Sequence, residues 1–333
     1  MSLGNTTAEG GGEARSPAKE PPLLRLSLTN IGPIREAAIE LERGFTAFYG
    51  SNGSGKTTVA RVLRLLAKLN KAQAKVIDVM ELINKEKKEG VIVYEGEGNK
   101  QELECKLNKV GARLRINKES YRVFAEDRLG VFFEKPAVAL AWISGDSVKL
   151  FGVGAPRKKG PYWLGDLLRP SAFSSIMSGV DEMDLYEQLL ADVNEMLESI
   201  TDIKIEYRDG VYFRRGLHVF KPYLVSAGVS RLALIFTAVR LTEAAAERAE
   251  AIPVVFIENL EAPLFTDYLN SLVDILHRRS AAIVGETHSG LVLRAAVMKA
   301  NYYVFLDDGT VAKNLKPEYF WREVQVWSSL GAP

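Results

Sequence analysis

Residues 44–69 read GFTAFYGSNGSGKTTVARVLRLLAKL. A short apolar strand, FTAFYG, runs into a glycine-rich turn and then into a helix. Val59, Val62, Leu63, Leu65, Leu66 and Leu69 fall mainly on one side of that helix. The turn, Gly50-Ser51-Asn52-Gly53-Ser54-Gly55-Lys56-Thr57, fits G-x-x-x-x-G-K-[ST] between a strand and a helix, the context this motif requires. Gly50, Gly53 and Gly55 admit positive φ and let the backbone approach a ligand closely. Successive N–H groups then point inward, and the helix N-terminus adds partial positive charge. Such a loop cradles phosphate. Lys56 reaches the β- and γ-phosphates of a nucleoside triphosphate, the Thr57 hydroxyl binds Mg²⁺, and Thr58 closes the set of nucleotide contacts.

Around this unit the chain alternates strands and helices. LLRLSLTN and AAIELE read as strands before the loop, and helix is predicted over residues 57–85. VIVY, ELECKL, ARLRI and YRVF, separated by Gly, Asn and Lys, predict an antiparallel sheet over residues 90–125. Residues 135–180 mix Gly, Pro and aromatics and yield no clear elements. Asp184 to Ile200 is an amphipathic helix, and Asp209-Gly210 turns a hairpin. A long helix from Gly228, the strand IPVVFI, the helix FTDYLNSLVDILHRR, the strand AAIVG and a terminal hairpin NYYVFLDDGTVAKNL follow. Apolar strands alternating with helices predict an α/β fold with a mostly parallel sheet flanked by helices, an antiparallel β subdomain and a helical insert. The expected organisation is a disordered tail at 1–22, an N-terminal lobe at 23–135, a helical or irregular insert at 136–225, and the rest of the core at 226–333.

Composition narrows the function. The 333 residues are 47% hydrophobic and 26% charged, enough for a large core. Lys and Arg number 43 against 42 Asp and Glu, a net charge of +1, which argues against a globally basic nucleic-acid coat. A single cysteine, Cys105, excludes an intrachain disulfide and a Cys-based zinc site. No apolar run has the length of a membrane helix and no signal core opens the chain, so a cytoplasmic protein without a membrane partner is expected. Arg157–Lys158–Lys159, Arg214–Arg215 and Arg278–Arg279 are basic spots of the kind that usually form a solvated face.

Three signals in the last third choose among nucleotide-binding proteins. IPVVFIEN sets Glu258 at the end of a buried strand, where a P-loop protein needs a carboxylate for its metal or the metal's water. AAIVGETHSG ends a second buried strand with Thr287, His288 and Ser289, at the edge where parallel sheets bind ligands. VSAGVSRLALIF opens the long helix at Ser226–Ala227–Gly228. This start reads either as an ordinary cap or as small residues that leave N–H groups and a hydroxyl to meet an anion.

Phosphate loop, Ser-x-Gly helix start, strand ending in acid, then strand–Thr–His–Ser is an order that resembles the ABC-type ATPases, and most closely their SMC/RecF/OLD branch. LTNIGPIREAAIEL, FIENLEAPL and ETHS are similar to that branch too, and the likeness covers residues 23–70 and 220–312. The resemblance implies that Lys56 and Thr57 bind ATP and Mg²⁺. It makes Glu258 the metal-side carboxylate, His288 the γ-phosphate sensor, and Ser226 and Gly228 contacts to ATP held by a second subunit. ATP would then close a homodimer. A Gln-containing loop of that branch usually senses the metal between the two lobes, and the sequence does not place it here. YRVFAEDRLG resembles the turn in that region without its Gln, which leaves Glu126, Asp127 and Arg128 without a secure role. The main departure is Asn259, where the branch has a Glu that acts as general base. An amide orients water but does not accept its proton. Glu261 is the nearest other acid in sequence. The spacing between Thr57 and Ser226 is too short for long coiled arms, and the stretch after His288 is too short for a nuclease domain, so a compact head is expected.

The resulting expectation is an ATP-binding, dimerising ATPase that hydrolyses slowly, in DNA repair, maintenance or defence, with DNA as a possible partner. The alternative is a non-hydrolysing nucleotide switch that recruits a separate effector protein. A transporter motor subunit is disfavoured by the absence of an LSGGQ-like signature.

Overall fold

The computed structural model describes residues 21–69, 74–96, 99–107, 112–117, 119–129, 138–154, 160–177, 183–264 and 266–316. The tail expected at 1–22, apart from its last two residues, and the Arg157–Lys158–Lys159 spot lie outside the described residues.

In chain order the elements are β1 (Leu24–Ile31), β2 (Ile34–Leu41), β3 (Gly44–Gly50), α1 (Lys56–Lys68), α2 (Val76–Met80), β4 (Glu89–Gly96), β5 (Asn99–Leu107), β6 (Ala112–Ile116), β7 (Glu119–Val123), β8 (Val138–Ser144), β9 (Ser147–Phe151) and β10 (Tyr162–Trp163). The second half continues with α3 (Leu164–Leu167), α4 (Pro170–Ile176), α5 (Met183–Glu198), β11 (Lys204–Tyr207), β12 (Val211–Arg215), β13 (His218–Phe220), α6 (Ala227–Ala249), β14 (Ile252–Ile257), α7 (Thr266–His277), β15 (Ala282–Thr287), α8 (Gly290–Lys299), β16 (Asn301–Phe305) and β17 (Val311–Lys313).

An eight-stranded sheet, ordered β10-β9-β8-β14-β15-β3-β16-β17, is the frame. Its five central strands, β8, β14, β15, β3 and β16, are parallel. They are predominantly apolar because both faces are covered. Side chains alternate between the faces. Phe45 and Ala47 of β3 and Val255 and Ile257 of β14 join a core with α5, α6, α7 and α8. Phe48, Val254 and Phe256 face the other way, onto α1 and the six-stranded antiparallel sheet β2-β1-β4-β5-β6-β7. Phe48 packs at 6.3, 5.7 and 5.0 Å, centroid to centroid, from Phe256, Tyr303 and Phe305. Each such pair contributes about 0.5–1.5 kcal/mol beyond its buried area. The strand that launches the phosphate loop is thereby fixed from beneath.

Parallel strands put their C-terminal ends on one edge. Register sets Ser144, Glu258, Glu286, the Gly50 loop and the segment after Phe305 side by side along it.

Two expectations change. The helix predicted over 57–85 is two helices. The first N–H groups of α2 donate not to a preceding helical turn but to a neighbouring segment, Val76 to the Asp127 carbonyl at 2.9 Å and Ile77 to the Ala125 carbonyl at 3.0 Å. Glu126, Asp127 and Arg128 serve this junction. Glu126 pairs with Lys75 at 2.5 Å, Asp127 accepts from the Phe124 N–H at 2.7 Å, and Arg128 bridges Lys75 through the backbone. The expected insert at 136–225 contributes β8, β9 and β10 to the main sheet, so its first part is core. VALAWIS of β8 is buried on both faces and carries no alternation to read.

Three arginines of the basic spots are engaged in ion pairs. Arg214 meets Glu206 at 2.9 Å, Arg215 meets Asp202 at 2.6 Å and Arg279 meets Glu243 at 2.5 Å. Among the described residues no helix is long and apolar enough to cross a membrane.

Candidate functional site

The glycine-rich loop sits where β3 ends and α1 begins. Gly50, Gly53 and Gly55 all have positive φ. Gly55 caps α1 at φ +112°, and a Cβ there would lie 2.7 Å from Ile34 Cγ1. Only glycine fits, because the β1–β2 turn presses on the loop from outside. Ser51, Asn52 and Gly53 are exposed at the tip, while Ser54, Lys56 and Thr58 are buried. Lys56 doubles back into the loop, and its Nζ donates to the carbonyls of Gly50 and Ser51, each at 2.8 Å. The buried Ser54 Oγ has no hydrogen-bond partner among the described residues. A buried hydroxyl left unpaired is costly, so this orphan fits a loop completed by an anion. Ser51 Oγ donates to Asp307 Oδ1 at 2.5 Å, from the turn after β16.

Carboxylates line the edge beside the loop. Glu286, near the end of β15, is 7% exposed. Both of its oxygens face Thr57 Oγ1, at 3.4 and 3.3 Å, and Lys56 Nζ is 3.9 Å away. Burial pushes the Glu286 pKa up. Lys56 opposes this, and the nearby negative charge of Glu258 and Glu261 adds to it. Burial also pushes the Lys56 pKa down against the pull of Glu286 and Glu261. Desolvation thus outweighs attraction for both members of the pair.

Glu258 follows β14 as expected, and its carboxylate is held by β8. Trp142 Nε1 donates to Oε1 at 2.8 Å, and the Ser144 hydroxyl donates to Oε2. These partners come from β8, the strand that the sequence does not reveal. The backbone carbonyl of Glu258 accepts from Arg231 of α6 at 3.0 Å. Glu261 accepts from Thr287 Oγ1 at 2.8 Å and from the His288 N–H at 3.1 Å, so it fastens the end of β15. His288 itself is exposed at the same edge.

Asn259 is exposed, with φ +45°. Asn is one of the few residue types that tolerate this region. Ser226 is the N-cap of α6, and its Oγ accepts from the Val229 N–H at 3.3 Å, so the hydroxyl oxygen is engaged rather than free. Gly228 is buried in the first turn of α6. Ser226 borders a separate depression of about 800 Å³, shared with Thr201, Arg215, Phe220 and Tyr268, none of them in the phosphate loop.

The structure therefore gathers Gly50–Thr58, Glu258, Asn259 and His288 on one edge and sets Ser226 and Gly228 elsewhere. Glu286, Asp307, Trp142 and Ser144 are edge residues that the motifs do not mark. Glu286 was legible only as the residue before Thr287–His288.

A family model described as an AAA domain matches residues 25–130, the loop and the antiparallel sheet. No curated protein matches. Among solved structures, an SMC head bound to the C-terminal winged-helix domain of ScpA superposes at TM-score 0.56 with 15% identity, covering 90% of this chain and 100% of that one. An SMC head with an extended coiled coil, bound to the C-terminal domain of ScpA derived from Pyrococcus furiosus, superposes at 0.52 with 12% identity, covering 91% and 98%. The chain thus shares the fold of those SMC heads.

Proposed function

We propose that the chain binds ATP with Mg²⁺ at the Gly50–Thr58 loop, hydrolyses it slowly, and closes into a homodimer around it. The observation that carries this reading is the loop itself. A buried ammonium is wrapped in loop carbonyls beside an unpartnered buried hydroxyl, with Thr57 facing a carboxylate. On arrival of a triphosphate, Lys56 exchanges the Gly50 and Ser51 carbonyls for phosphate oxygens, and the loop N–H groups and the α1 N-terminus hold the rest. The oxygen donors at this edge suit a hard cation, and bound Mg²⁺ would neutralise charge on the phosphates. Thr57 and a carboxylate from the strand ends would hold it. His288, exposed beside them, would donate to the γ-phosphate. Asn259 would orient the attacking water without taking its proton.

Ser226 and Gly228 open α6 at a surface apart from the loop, which suits contact with nucleotide held by a second copy rather than by their own chain. DNA repair, maintenance or defence in the cytoplasm is the setting that the likeness to SMC heads supports. The charge balance and the ion-paired Arg214, Arg215 and Arg279 add no support for DNA.

A second reading, a nucleotide switch that recruits an effector protein, is favoured by Asn259 and by the ScpA domains seated on the superposed SMC heads. One experiment separates the two. Binding of a fluorescent ATP analogue, phosphate release and mass by light scattering are measured with and without Mg²⁺ and duplex DNA. Binding with turnover supports the ATPase, binding without turnover supports the switch, and no binding refutes both.

A further inference from the structure

We infer that Glu286, on the strand between the loop strand and the Glu258 strand, is the protein carboxylate that holds the nucleotide's divalent cation together with Thr57. This rests on the ATP reading above and names the cation's ligand within it. Three acids stand at the ends of β14 and β15, and their oxygens are differently committed. Both oxygens of Glu258 are taken, by Trp142 Nε1 at 2.8 Å and by the Ser144 hydroxyl. Both oxygens of Glu261 are taken, by Thr287 Oγ1 at 2.8 Å and the His288 N–H at 3.1 Å. Glu286 turns both oxygens to the loop, where Thr57 Oγ1 donates to them at 3.3 and 3.4 Å and Lys56 Nζ lies at 3.9 Å.

The spacing carries the argument further. A hydroxyl closed on a carboxylate would approach to about 2.5–2.7 Å. Adjacent oxygens around an octahedral Mg²⁺, each about 2.0–2.1 Å from the ion, stand about 3 Å apart. The Thr57–Glu286 separation of 3.3 Å is nearer the second figure. Mg²⁺ also takes one or two carboxylates plus substrate phosphates rather than an all-protein cage. No group of three or more His, Cys, Asp or Glu that could hold a metal exists among the described residues. Burial strengthens the assignment, because Glu286 is 7% exposed and a cation there would replace the lone ammonium that now faces it.

The test is equilibrium binding of a fluorescent ATP analogue to the full chain, in Mg²⁺ and in EDTA, for wild type, Glu286→Gln and Glu258→Gln. Electron paramagnetic resonance of Mn²⁺ added with the analogue is the second readout. The expected result is that Glu286→Gln loses roughly tenfold or more of the Mg²⁺-dependent gain in affinity. Its affinity in EDTA is kept or raised, because a negative charge near the phosphates is gone, and the bound Mn²⁺ signal falls. If Glu286→Gln does not fold, Glu286→Asp keeps the charge opposite Lys56 and is expected to lose part of the same gain. Full Mg²⁺ dependence in a folded Glu286 variant overturns the inference and leaves the ATP reading intact, and loss confined to Glu258→Gln moves the cation to Glu258. Wild-type protein that binds no analogue in either condition overturns the ATP reading and this one with it.

Discussion

Lys56 Nζ lies 3.9 Å from Glu286 Oε1, with both side chains buried, at 2% and 9% exposure. The lysine belongs to the glycine-rich loop and the glutamate to the neighbouring strand, so the pair ties that loop to the sheet edge. Burial shifts each pKa toward its neutral form, which marks the pair as an incomplete solution that a phosphate and a cation would improve.

Lys56→Ala is therefore expected to do two things. It removes ATP binding, because the ammonium that meets the phosphates is gone. It also lowers stability by about 1–3 kcal/mol, because Glu286 is left buried without its partner. Adding Glu286→Gln should return part of that loss in urea unfolding. A double variant no more stable than Lys56→Ala would show that the two side chains are not energetically coupled.

Asn259, proposed above to orient the attacking water, has a φ of +45°. Asn259→Gly should leave stability nearly unchanged. Asn259→Glu should cost roughly 1 kcal/mol, because a longer side chain is forced into the left-handed region. The same variant restores a carboxylate, and a positioned base contributes 10²–10⁴-fold, so about a tenfold gain in turnover is expected even with imperfect aim. Phosphate release under single-turnover conditions measures it. Fast wild-type turnover would transfer the base role to another acid, and a slower Asn259→Glu would make Asn259 a positioning residue.

Glu243 of α6 is a second buried carboxylate with the opposite balance. It accepts from Arg279 at 2.5 Å, Arg240 at 2.7 Å, and the Ser280 N–H and hydroxyl at 3.0 and 2.9 Å. Burial alone would raise its pKa, but these donors outweigh it and hold the carboxyl below the usual Glu value. Its folded pKa is depressed, so its contribution is complete above the unfolded value near 4.3 and fades as pH falls through the lower folded value. Glu243→Ala should cost about 3–5 kcal/mol at neutral pH by leaving Arg279 and Arg240 without their shared anion. Acid unfolding of that variant should be shallower than wild type below about pH 4. Equal acid profiles would sink the assignment.

The sequence carried the fold where pattern and local geometry coincide. The loop at Gly50–Thr57 needs particular residues at fixed spacing, and FTAFYG, IPVVFI and AAIVG are apolar enough to be recognised as buried parallel strands. It failed where long-range packing decides. Nothing in VALAWIS announces that β8 will lie beside β14 and capture the Glu258 carboxylate through Trp142 and Ser144. The ten-residue α8 went unread because GLVLRAAVMK opens on a glycine directly after the THS segment. Glu286 hides in a buried strand, where a charged residue has no periodic signature. Strand order put it against Thr57, and strand order is a property of the folded chain.

Ser226 is the N-cap of α6, and this changes how the dimer is best tested. An arginine at 226 would block a partner but would also delete the cap, at a cost of roughly 1 kcal/mol. Ser226→Asp avoids the confusion. Aspartate caps as well as serine, and its charge is favoured at a helix N-terminus, so the fold should be kept or slightly stabilised. If Ser226 meets the triphosphate of a second copy, the new carboxylate faces phosphate charge across the interface, and like charges there cost several kcal/mol. The expected outcome is wild-type ATP affinity in the monomer, an unchanged melting temperature, and loss of the mass increase that ATP with Mg²⁺ produces in the wild type. High salt should restore part of that increase, because screening weakens the repulsion. A Ser226→Asp protein that still dimerises with ATP would show that the α6 N-terminus faces no phosphate. A wild type whose mass ignores ATP would remove the dimer from the proposed function altogether.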